Sequence, residues 1–125
     1  HGIYDLSIEG CLKIKDISGL GKHHRLKIVT DYNTKLTGFE AFLGIPHVYI
    51  GYCEISDLTV LRDAKTVYLS HLWGVNDLTP LKDAQEVWFH NYVSGRLNYD
   101  VLKDVSNLHL LNNMHVNFDA IEFKN

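Results

Sequence analysis

The chain has 125 residues, of which 46% are hydrophobic and 22% charged, and a formal net charge of −3 at neutral pH. That length sets one domain with a core of its own, and the acidic balance argues against a nucleic-acid or anionic-membrane partner, which needs a basic face. No apolar run approaches a membrane span and no signal-peptide pattern is present; the opening His1-Gly2 in place of Met suggests processing or trimming, so the compartment stays open.

From the N-terminus, an apolar-x-apolar anchor recurs at Leu6/Ile8, Leu26/Ile28, Val48/Ile50, Val67/Leu69, Val87/Phe89 and Leu108/Leu110, at steps of 20, 22, 19, 20 and 21 residues. A step this short holds one strand and a return. In the first unit Leu6 and Ile8 point inward, Cys11 follows, and Ile14, Ile17 and Leu20 come at spacing three. That spacing suits a 3₁₀-like or polyproline-like return, not a full helix, with Asp16 placed to cap its first amides. The second unit keeps the spacing with Leu36, Phe39 and Phe42, after a longer turn at Tyr32 to Lys35. The third and fourth nearly coincide, VYIGYCEISDLTVLRDA from Val48 and VYLSHLWGVNDLTPLKDA from Val67, with Asp57 and Asp77 in the position of Asp16. Pro46 and Pro80 stand where a missing amide donor is tolerated. In the fifth unit Tyr92 to Arg96 is expected to loop out before Leu97, Tyr99 and Leu102 resume the pattern. In the sixth, Val116 is followed by Phe118, Ile121 and Phe123, which could fold over the open end of the core as a cap. Units starting near residues 3, 23, 45, 64, 84 and 105 make residues 1–125 a single repeat domain.

The segments LSIEGCLKI, VYIGYCEI and LHLLNNMHV look like the leucine-rich repeat, and IKDISGL, ISDLTVL and VNDLTPL are similar to the return segment of the internalin-type, short-repeat bacterial members. The resemblance implies an α/β-type repeat solenoid: a curved coil with a parallel concave sheet of about six short strands and 3₁₀ or extended returns. The bottom-up pattern independently supports a parallel sheet, because strands recur in one orientation. The position that carries the Asn or Cys ladder in such repeats reads Cys11, Asp31, Cys53, Leu72, Tyr92 and Asn113, so the ladder is interrupted at Leu72 and Tyr92.

On the concave face three columns alternate with the buried pair. The middle one is Ser7, Lys27, Tyr49, Tyr68, Trp88 and His109, and the one before it Asp5, Arg25, His47, Thr66, Glu86 and Asn107. The one after it is Glu9, Val29, Gly51, Ser70, His90 and Leu111. Tyr49, Tyr68 and Trp88 form an aromatic stripe; central aromatics are common hot spots and cost little entropy to order. The plainer alternative is that aromatics favour strands and stack on one another. The candidate ligand-binding set is Lys27, Tyr49, Tyr68, Trp88 and His109, flanked by His47, Glu86 and His90.

Chemistry has less support. Eight histidines invite a metal, but no HxxxH or HxH pair occurs and no carboxylate stands at ligand spacing beside His90 and His109; solvated histidines, with His23-His24 solvent-facing in a turn, are the better account. Cys11 and Cys53 hold equivalent core positions two units apart, roughly 10 Å across the sheet, beyond disulfide reach, and are expected to be free, buried and inert. Free thiols favour a reducing compartment or a bacterial origin, with a bacterial surface or secreted location also open. Gly19-Leu20-Gly21-Lys22 ends a return and opens no helix, so it is no phosphate loop. No enzyme, cofactor or metal is expected. The favoured reading is a non-catalytic module that binds a protein or peptide. A carbohydrate binder using the Tyr/Trp stripe is one alternative, and an assembly unit joined through sheet edges is the other. The first strand carries Asp5 and Glu9, which disfavour edge pairing, so any weak homo-oligomer should use the C-terminal edge; otherwise the chain is a monomer.

Overall fold

Each anchor pair sits in a five-residue strand because alternation sends its two apolar side chains to one face. The computed structural model describes residues 5–9, 15–31, 35–90 and 97–111. Strands β1 (Asp5–Glu9), β2 (Arg25–Val29), β3 (His47–Gly51), β4 (Thr66–Ser70), β5 (Glu86–His90) and β6 (Asn107–Leu111) form one six-stranded sheet in sequence order. Every pairing is parallel and aligns anchor with anchor: Leu6 opposite Leu26, Leu26 opposite Val48, Val48 opposite Val67, and so on to Leu108.

The returns are short 3₁₀ turns at Phe39–Phe42, Thr59–Leu61, Thr79–Leu81 and Tyr99–Leu102, as the spacing of three predicts. No α-helix occurs among the described residues. In the first, third, fourth and fifth units a side-chain oxygen two residues upstream orders the start of the return. Asp16 accepts from the Ser18 amide, Asp57 from Thr59 and Asp77 from Thr79, each at 2.9 Å, and Asn98 accepts from Asp100 at 3.0 Å. These are Asx turns. The second unit has Gly38 instead, at φ 86°. A β-carbon there would strike the Asp16 carboxylate and the Ser18 amide. Here the chain is docked onto the preceding return, with Ile17 N–H bonded to Thr37 O at 3.0 Å and Thr37 N–H to Lys15 O at 2.7 Å.

The core lies between sheet and returns. Leu26, Ile28, Val48, Ile50, Val67, Leu69, Val87 and Phe89 bury themselves against Ile17, Leu36, Phe42, Ile55, Leu58, Leu61, Val75, Leu78, Leu81 and Leu102. The expectation that all twelve anchors are buried is corrected at three: Leu6, Ile8 and Leu110 are only partly buried. They belong to the terminal strands, which have a strand neighbour on one side only among the described residues. The expectations for Cys11, Ile14, residues 92–96 and residues 112–125, including the capping tail, lie outside the described residues.

Position in the sheet should set the cost of truncation. Leu69→Ala should destabilise by about 2–5 kcal/mol, the range for large-to-small core changes. Leu6→Ala should cost clearly less in the same urea titration, and equal losses would contradict this core. The Asx carboxylates carry a pH signature. Bonds from the amide and hydroxyl of Thr59 and Thr79 hold Asp57 and Asp77 below the usual carboxylate range. A depressed folded pKa gives stability that is complete above the unfolded value, about 3.9, and is lost as pH falls through the folded one. Asn98 makes the same turn without a charge. D57N/D77N should therefore keep its neutral-pH stability and lose less than wild type below about pH 4; acid unfolding curves of the pair check this.

Candidate binding face

Register brings the predicted middle column into one row on the sheet face turned away from the core. Lys27, Tyr49, Tyr68, Trp88 and His109 are successive partners on β2 to β6, and each is half-exposed. Tyr49 and Tyr68 stack at 4.3 Å between centroids with planes 8° apart, Tyr68 and Trp88 at 6.0 Å and 19°, and Trp88 and His109 at 3.8 Å and 17°. The Lys27 ammonium lies 4.7 Å from the Tyr49 centroid, within cation–π range. The rings thus stand on edge, with faces toward neighbours and edges outward.

Charged groups close both ends. Lys27 Nζ lies 3.0 Å from Glu9, which also accepts the Ser7 hydroxyl at 3.2 Å. The Lys27 hydrogen bond and charge, then that hydroxyl, hold the Glu9 carboxyl below its usual range. At the other end Glu86 accepts the Trp88 indole N–H at 2.9 Å and faces His109 Nε2 at 3.5 Å. Burial, with the Tyr68 ring beside it, pushes the Tyr49 hydroxyl up.

The flanking residues divide. Glu86 joins the row. His47, at the strand-start margin, packs edge-on against His24 with centroids 4.8 Å apart. His90 belongs to a second cluster at the strand ends: Ser70, 2% exposed, sets its hydroxyl 2.7 Å from His71 Nδ1 and 3.5 Å from His90 Nδ1. His71 stacks on Tyr52 at 4.3 Å, and burial, then His90, lowers its pKa. The picture of solvated histidines is corrected on three counts. His23 and His24 are half-buried, and His23 Nε2 is bonded to the Leu20 carbonyl at 3.0 Å. His109 has a carboxylate beside it. His90 reaches a buried hydroxyl. The Ser70–His71 contact is a proton-transfer geometry, yet the hydroxyl is closed to a substrate. Sequence reasoning missed this cluster because Tyr52 and His71 follow their strands at φ 57° and 54°, a conformation uncommon for any residue with a β-carbon and not announced by strand periodicity.

Among the described residues no three His, Cys, Asp or Glu side chains group to hold a metal, and no helix is long and apolar enough to cross a membrane. Comparison with protein-family models, curated proteins and solved structures finds no match to this chain.

Cys53 is fully buried and unpaired, and desolvation pushes its thiol up to about 12. Thiolate is the reactive form. In a Cys11→Ser background a thiol reagent should label Cys53 only after the chain is unfolded, and rapid labelling of the native protein would place Cys53 outside the core.

Proposed function

We propose that the protein is a non-catalytic binding module of the leucine-rich-repeat type, a solenoid that recognises a protein or peptide on the outer face of its sheet. The observation that carries this reading is the half-exposed row from Lys27 to His109. Its rings are already fixed by their neighbours and by the Trp88–Glu86 bond, so a partner would meet them with little further entropy cost. The in-register strands and 3₁₀ returns are what a short-repeat leucine-rich coil would require, and such coils bind through their sheets. The carbohydrate reading is less supported, since a sugar platform needs open ring faces and the stack covers those of Tyr49, Tyr68 and Trp88.

The test is selection of peptides on the whole chain from a random display library, followed by titration against Tyr68→Ala/Trp88→Ala. Affinity should fall at least ten-fold, about 1.4 kcal/mol. Stability should fall by no more than about 1.5–4.5 kcal/mol for the three broken stacks, with cooperative unfolding retained. Unchanged affinity beside a larger stability loss would make the row structural.

A further inference from the structure

The row is bordered on its strand-start side by cations that form no salt bridge among the described residues. Arg25 opens β2, opposite His47 on β3, and His47 pairs with Thr66 on β4. Lys65 precedes Thr66 and is held beside His47 by a bond from its backbone N–H to the Pro46 carbonyl at 2.8 Å. His24 packs on the His47 ring. Arg25 and Lys65 are exposed, and neither forms a salt bridge among the described residues. Two acids lie near them: Asp5, opposite Arg25 on β1, and Glu86, whose amide is bonded to the Lys65 carbonyl at 3.1 Å and whose carboxylate is engaged by Trp88 and His109. Burial is the first cause of the lowered pKa of His47, and His24, Arg25 and Lys65 push the same way while Asp5 opposes them.

The geometry points to an acidic side chain of a peptide partner docking over Arg25, His47 and Lys65, with a neighbouring apolar side chain of that peptide against Tyr49 and Tyr68. This inference rests on the binding-module reading and supplies the partner's chemistry. Arg25 and His47 lie two residues before Lys27 and Tyr49 on the same strands, about 7 Å along the sheet. That is the span between side chains on one face of an extended peptide, so one short segment can place a carboxylate on the cations and an apolar group on the rings. Carboxylate recognition by an unpaired guanidinium and ammonium needs no rearrangement of existing ion pairs. Glu86 lies in the same strand-start column, two strands beyond His47, with its amide bonded to the Lys65 carbonyl at 3.1 Å; it repels an acid on that side and favours the Arg25–His47 end of the cation site.

The experiment is peptide selection on the full chain and, in parallel, on R25E/K65E, with synthetic copies of enriched peptides titrated by fluorescence anisotropy. Wild type should enrich Asp and Glu next to aromatic or aliphatic residues, and R25E/K65E should enrich Lys and Arg instead. Peptides selected on wild type should bind R25E/K65E at least ten-fold more weakly, with the difference shrinking as salt rises. Thermal unfolding confirms that the variant is folded, and R25Q/K65Q replaces it if it is not. Peptides that bind without acid enrichment, or bind the charge-altered variant equally well, overturn the acidic-partner inference and leave the binding module standing. Failure to enrich any peptide on wild type overturns both.

Discussion

Parallel pairing in register is the constraint on which everything else in this protein depends. Equivalent residues of neighbouring strands are held about 4.8 Å apart, so whatever the sequence repeats at one position becomes a column. On the inner face this makes apolar files from Leu26 to Leu108 and from Ile28 to Leu110, the second including Phe89. On the outer face it forces Tyr49, Tyr68 and Trp88 side by side, and rings on a spacing wider than van der Waals contact adjust by tilt and offset. The separations along the row, 4.3 Å for Tyr49–Tyr68, 6.0 Å for Tyr68–Trp88 and 3.8 Å for Trp88–His109, straddle the strand spacing for that reason. A slip of one residue would turn every ring into the core.

The register survives unequal unit lengths because the returns absorb the difference. Each return closes with the same bond, from the amide of Ile45, Ala64, Ala84 or Val105 to the carbonyl of Phe42, Leu61, Leu81 or Leu102, at 3.0 to 3.1 Å. The chain then enters the next strand on a shared acceptor: Lys65 and Thr66 both donate to Pro46 O, and Gln85 and Glu86 both donate to Lys65 O. These bonds set the starts of β4 and β5 at matching heights, and at β6 Asn107 N–H is bonded to Gln85 O at 3.2 Å.

The columns were legible in the sequence because period-two burial and a fixed anchor determine them without any side-chain coordinates. Leu6, Ile8 and Leu110 were misjudged because periodicity tells which face a residue points to, not whether a neighbour covers it. The Asx oxygens at Asp16, Asp57 and Asp77 were legible as caps, since a short acceptor ahead of a turn has few other uses. Gly38 was not, because its role comes from contact with Asp16 in the preceding unit. The row was visible as residues and invisible as a stack. Ring planes, the Glu86 bridge between Trp88 and His109, and the pairing of His24 with His47 all follow from rotamers, which one-dimensional spacing does not carry.

The two margins of the sheet differ in a way that bears on recognition. At the strand ends Tyr52 and His71 occupy the left-handed region, which costs of order 1 kcal/mol for a residue with a β-carbon. Strain of this kind often marks a functional site, but here it recurs at equivalent places in consecutive units, with φ differing by only 3°. Each residue still donates its amide to the next strand, Tyr52 to Ser70 O at 2.9 Å and His71 to His90 O at 3.2 Å. The Thr30 hydroxyl is bonded to Tyr52 O at 2.6 Å, and Ser70 to His71. The strain is therefore a feature of how the chain leaves its strand, held by ladder bonds and ring stacking. That margin satisfies its polar groups internally, whereas at the strand-start margin Arg25 and Lys65 form no salt bridge among the described residues. A ligand that must exchange water for protein contacts gains more where charges are unpaired than where hydrogen bonds are already made, so the strand starts are the side of the row from which recognition is expected to come.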